Sequence, residues 1–187
     1  MINSSPRESL VKFEQTPNPH TYKFSWGKKI TDQSLECLNS DEAQSSPLAT
    51  KIFGFPWAQS VFIGTDFITI EKQEWVSWDV LAEPLSNLIA EHVESGEPIL
   101  LNTSTDVSLE SESSEIVTKI KWVLEHEIRP AVAMDGGDIQ FVSFNNGYLK
   151  IAMKGACSGC PSSQITLKEG IETHLKSLFS EIISVNT

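Results

Sequence analysis

The run Ile139-Gln140-Phe141-Val142-Ser143-Phe144, Asn145-Asn146-Gly147, Tyr148-Leu149-Lys150-Ile151-Ala152-Met153 decides how the second half of this chain folds. Both flanks are rich in β-branched and aromatic residues and alternate between apolar and polar. Asn-Asn-Gly between them tolerates the positive φ of a tight turn, so the stretch predicts a β-hairpin. Just upstream, Met134-Asp135-Gly136-Gly137-Asp138 reads as a turn in which two carboxylates bond nearby backbone. A metal or phosphate reading of the same residues is the weaker alternative.

Further out, Ile116, Ile120, Leu124 and Ile128 recur every four residues, with Val117 and Val123 widening the stripe. They predict a helix that Pro130 ends at Arg129. On the other side, Leu167, Ile171, Leu175 and Leu178 predict a last helix starting at Pro161, with Cys160 near its N-cap, and Ile182 to Val185 a final short strand. Residues 114–187 therefore read as an α-β-β-α-β domain.

The first half is of another character. Thr16-Pro17-Asn18-Pro19 turns the chain between two antiparallel strands, the second alternating Tyr22, Phe24 and Trp26 with polar residues. Residues 30–44, with Cys37, read as an irregular or weakly stranded surface segment. Ser46-Pro47 starts a short helix that Gly54 and Pro56 end. Gly64-Thr65-Asp66 joins a hairpin, and Trp78, Leu81, Leu85, Leu88, Ile89 and His92 mark an amphipathic helix expected to kink or start late at Pro84. The expected organisation is α+β in two small domains: 1–97, an acidic flexible linker 98–113, and 114–187.

Composition narrows the function classes. The 187 residues carry a net charge of −11, with seven Lys and Arg against seventeen Asp and Glu up to residue 113, and seven against eight after it. Such a balance argues against non-specific nucleic-acid binding, which needs a basic face. No apolar run approaches the roughly 20 residues of a membrane helix. Residues 1–12 show neither a secretory nor an Arg-rich transit signal, so the expected compartment is a bacterial cytoplasm, with the mitochondrial matrix as the alternative.

Between hairpin and last helix lies Lys154-Gly155-Ala156-Cys157-Ser158-Gly159-Cys160-Pro161, with two of the chain's three cysteines. Cys-x-x-Cys can be a disulfide, a redox dithiol, half of a zinc site or a pair of iron ligands. At a helix start, free N–H groups and the helix dipole would favour the thiolate at both sulfurs. As a redox pair, Cys157 would be the more exposed nucleophile and Cys160 the resolving thiol, but no β-α-β unit precedes the motif. Zinc needs four ligands, and the domain adds only His126 and His174. A two-fold homodimer, in contrast, gathers four cysteines and predicts a bridging 4Fe-4S cluster held by Cys157 and Cys160 of each subunit. Lys154 can offset the cluster's charge, and Cys37 reads as an incidental thiol.

With Ile128-Arg129-Pro130, Met134 to Ile139 and Gly155 to Ser163, the second half resembles the NifU-like C-terminal domain of Nfu-type iron–sulfur scaffold proteins. The first half resembles their N-terminal domain through Thr16 to Pro19, Ser46 to Ala49 and Val61 to Ile70. The resemblance implies a non-enzymatic scaffold or carrier of 4Fe-4S clusters. It further implies Cys157 and Cys160 as ligands, delivery to apo iron–sulfur proteins, and partner contacts or stability from the N-terminal domain. Upstream assembly proteins are expected partners, and nucleic acid and membrane are not. A thiol-disulfide oxidoreductase is the alternative function.

Overall fold

A computed structural model describes the backbone of residues 11–101, 114–158 and 161–187, and the side chains of all these except 161–163. Most of the expected linker, residues 102–113, lies outside the described residues. The elements form two compact units, each with its own core.

The first unit is a five-stranded antiparallel sheet with two helices. Its strands are β1 (Lys12–Gln15), β2 (Thr21–Ser25), β3 (Leu35–Cys37), β4 (Ala58–Ile63) and β5 (Phe67–Lys72), in the order β1-β2-β5-β4-β3. Strand alternation puts Phe24, Val61, Ile63, Ile68 and Ile70 into one core with Leu48, Ala49 and Ile52 of α1 (Pro47–Phe53) and Trp78, Leu85 and Ile89 of α2 (Trp78–Ser95). Ser46 caps α1, its hydroxyl accepting from the Ala49 N–H at 3.1 Å.

Two expectations change. The acidic segment contains a paired strand, β3, and Cys37 is fully buried on it, its thiol pushed up to about 11 chiefly by burial. Pro84 also lies within an unbroken α2. Pro84 is exposed, as is Val80 one turn earlier, so the carbonyl that loses its donor faces water while Leu85 and Ile89 keep the helix on the core.

Residues 97–101 are tied to this unit. The Ser46 hydroxyl donates to the Ile99 carbonyl at 2.6 Å, and the Leu101 N–H to the Ser45 carbonyl at 2.8 Å. Buried His92 stands between Lys51 Nζ, 3.1 Å from its Nδ1, and the Pro98 carbonyl, 3.4 Å from its Nε2. A neutral ring with its proton on Nε2 satisfies both contacts. Burial, then the Lys51 charge, lowers its pKa. The unfolded chain therefore takes up a proton below about pH 6.5 where the fold resists it, and stability falls as the pH drops through that window towards the folded pKa. Urea denaturation at about pH 7.5 and about pH 5.5 is expected to show this loss for the first unit, with a smaller pH difference in His92→Gln.

The second unit begins with α3 (Glu115–Val123), a π-helical turn (Leu124–Ile128) and α4 (Arg129–Met134). Contrary to the expected end at Arg129, the helix continues through Pro130. In the wider turn the Arg129 N–H bonds the Leu124 carbonyl five residues back, so Pro130 enters α4 in its first turn, where an N–H is not required. Strand β6 (Gly137–Asn145) turns at Asn146 (φ 50°) and Gly147 (φ 83°) into antiparallel β7 (Tyr148–Gly155). Helix α5 (Pro161–Leu178) then returns the chain to β8 (Ser184–Asn186), parallel to β7. Ile120, Leu149, Ile151, Leu175 and Val185 are fully buried between sheet and helices.

Candidate functional site

The cysteine loop leaves β7 at Gly155, whose φ of 66° suits glycine, and enters α5 at Pro161. Two bonds shape its first turn: the Gly155 carbonyl accepts from the Ser158 N–H at 3.1 Å and from the Ser158 hydroxyl at 2.8 Å. The Ala156 N–H reaches across to the Gly136 carbonyl at 3.1 Å. The loop is thus pinned to the segment that the sequence presented as a turn.

That pinning seats Cys157. A Cβ added to Gly137 would lie 2.4 Å from Cys157 Sγ and 3.0 Å from the Lys154 carbonyl oxygen. Gly137 is paired with Gly155 in the β6–β7 register, and its bare Cα makes the space that the sulfur occupies. Cys157 is consequently only 4% exposed and belongs to the core of the second unit.

An ion pair lies beside the seat. Arg129 at the start of α4 donates through Nε to Asp138 Oδ1 at 2.6 Å and through Nη2 to Oδ2 at 3.1 Å, while Nη1 reaches Glu125 at 2.5 Å. Asp138 is buried, and its Oδ1 also accepts the Ile139 N–H at 2.8 Å. The expected tight turn is therefore shorter than Met134 to Asp138. Only Asp135 and Gly136 turn, and Asp138 is a strand residue with a charged partner.

Two expectations for the sulfurs are corrected. Cys157 is buried where an exposed nucleophile was expected, and it is not poised as a thiolate. Burial, followed by the charges of Asp135 and Asp138, pushes its pKa up to about 11. Cys160 lies outside the described residues. Lys154 is half-buried opposite Asp138 in the sheet register.

Neither histidine stands beside Cys157 as a ligand. His174 Nε2 pairs with Glu127 at 2.8 Å, and His126 stacks on Trp122 with its Nδ1 2.9 Å from the Trp122 carbonyl. Among the described residues, no three His, Cys, Asp or Glu side chains are grouped to hold a metal.

Sequence reasoning missed Gly137, Arg129 and Asp138 as supports of the site. A second glycine entering a strand is a sign of close backbone approach and marks Gly137. No local pattern marks Arg129 and Asp138, which are nine residues apart and on different elements.

Comparison with known proteins agrees with this architecture. Residues 11–96 match the family model described as scaffold protein Nfu/NifU N terminal, and residues 120–186 match the NifU-like domain model. The chain is 40% identical over 186 residues to NifU-like protein 5, mitochondrial, of Arabidopsis thaliana, covering 96% of this chain and 68% of that protein. It is 36% identical over 190 residues to the mitochondrial NFU1 iron-sulfur cluster scaffold homolog of Drosophila persimilis, covering 99% and 67%. Among solved structures, that of a NifU-like protein from Saccharomyces cerevisiae is 29% identical, with a TM-score of 0.44 over 54% of this chain and 90% of that one. The chain belongs to the Nfu-type iron–sulfur cluster scaffold family, with an N-terminal Nfu domain and a C-terminal NifU-like domain.

Proposed function

We propose that this chain carries a 4Fe-4S cluster as cargo between two copies of itself, each giving Cys157 and Cys160 as thiolate ligands, and passes it to apo iron–sulfur proteins. The first domain, extended from 1–97 by the tied residues up to Leu101, and the second domain at 114–187 divide the work, the second holding the cluster. The observation that carries the reading is the seat of Cys157, a thiol on a glycine platform, with His126 and His174 each engaged by other residues.

Asp135 and Asp138 oppose a bare thiolate at Cys157, so the sulfur meets iron as a protonated thiol. Loading therefore releases the thiol proton, and iron takes its place. A cluster shared between subunits can leave by ligand exchange with a recipient's thiolates without unfolding either chain. This is carriage rather than catalysis. Upstream assembly proteins supply the cluster in this reading, and the mitochondrial names of the relatives support a matrix setting over a bacterial cytoplasm.

Anaerobic reconstitution tests the reading. About two iron per chain, half of a four-iron cluster, are expected together with dimer-sized elution. A colourless protein with about half a metal per chain would point instead to a shared zinc ion. Disulfide turnover by metal-free monomer would favour the oxidoreductase.

A further inference from the structure

We propose that Arg129 and Asp138 are positioning residues for Cys157, setting how deeply its sulfur is seated and so how readily it is exposed to a ligand-exchange partner. The inference rests on the reading of Cys157 as a cluster ligand.

The sulfur has two backbone supports, the Gly137 Cα beneath it and the Gly136 carbonyl that holds the Ala156 N–H. Both belong to a pair of adjacent glycines, which have no side chains and the least conformational preference of any residues. Gly136 sits at φ 78°. What fixes such a segment must come from outside it. The next residue is Asp138, gripped by both prongs of Arg129, which is held in turn by Glu125 on the preceding helical turn.

Forces on the cysteine seat thus pass from helix to strand through the Arg129 guanidinium as well as through the Gly136 N–H bond to the Ala133 carbonyl and the β6–β7 pairing. The geometry is two-pronged and directional, which a lysine ammonium cannot reproduce. Loosening the pair lets the two glycines relax away from Sγ and leaves the thiol accessible, while the core formed by Leu149, Ile151 and Leu175 stays packed.

Iodoacetamide labelling of the reduced, cluster-free full chain, read at each cysteine by peptide mass spectrometry, tests this. Asp138→Asn is expected to speed labelling of Cys157 by roughly ten-fold or more after each rate is divided by the thiolate fraction read from its pH dependence, because losing the Asp138 charge by itself favours the thiolate. Arg129→Lys is expected to fall between it and the parent protein. Labelling of Cys37, buried in the other unit, should not change. Ile151→Val serves as a control that weakens the same core without touching the pair. If it accelerates Cys157 as much as Asp138→Asn does, or if Asp138→Asn accelerates nothing, the positioning role is overturned and the pair merely supports the fold. The labelling needs no cluster, so its outcome is separate from the ligand assignment, which fails on its own terms if Cys157→Ala still retains iron.

Discussion

Cys157→Ala is expected to abolish retention of iron and sulfide and to leave the reconstituted protein colourless and monomeric, with the fold intact. The expected loss is complete because the proposed two-fold site would lose two of its four thiolates at once, and among the described residues no group of three His, Cys, Asp or Glu stands ready to hold iron instead. His174 is committed to Glu127 and His126 to the Trp122 carbonyl. The structural cost is small by comparison. Alanine keeps the Cβ and removes only the sulfur resting on Gly137, so the second unit should lose roughly 1 kcal/mol, as for a small buried deletion. Iron analysis and the anaerobic absorption spectrum read the first effect, and urea denaturation the second. Cys37→Ala is the matched control, expected to load like the parent protein because Cys37 is buried in the first unit. A cluster retained by Cys157→Ala would end the ligand assignment.

Gly137→Val attacks the same seat from below. Its Cβ alone would stand 2.4 Å from Cys157 Sγ, 3.0 Å from the Lys154 carbonyl oxygen and 3.1 Å from Cys157 Cβ. The sulfur can turn away, but the carbonyl belongs to β7, so the strand pair itself must shift. Overpacking of this kind costs about 1–3 kcal/mol, and the second methyl of valine puts the effect at the upper end. The expected result is a lower denaturation midpoint for the second unit, an unchanged first unit and a Cys157 that alkylates rapidly. A protein of parental stability, with Cys157 still shielded, would show that the contact between Gly137 and Cys157 does not set the seat.

Much of the fold was readable because its signals are local. Ser46 before Pro47 announces α1 within two residues. Asn146 and Gly147 supply the positive φ values of the hairpin turn from their own backbones. The errors arose where packing overrode a local rule. Pro84 predicts a kink or late start and Pro130 a helix end, yet one lies where the lost bond faces water and the other follows a π-helical turn that resets the register. Residues 30–44 read as an irregular or weakly stranded surface segment, and the short edge strand β3 departs from that only in burying Cys37.

By itself the sequence determined the α+β class, the hairpin, and the placing of the Cys-x-x-Cys loop between β7 and α5, since each depends on residues a few positions apart whose dihedral preferences and spacing act locally. Only the tertiary structure decided that Cys157 is buried on Gly137, twenty residues earlier, and that Arg129 grips Asp138 from another element. Such contacts depend on how a helix, a strand and a loop close on one core, and burial then turns a thiol expected as a thiolate into one that holds its proton.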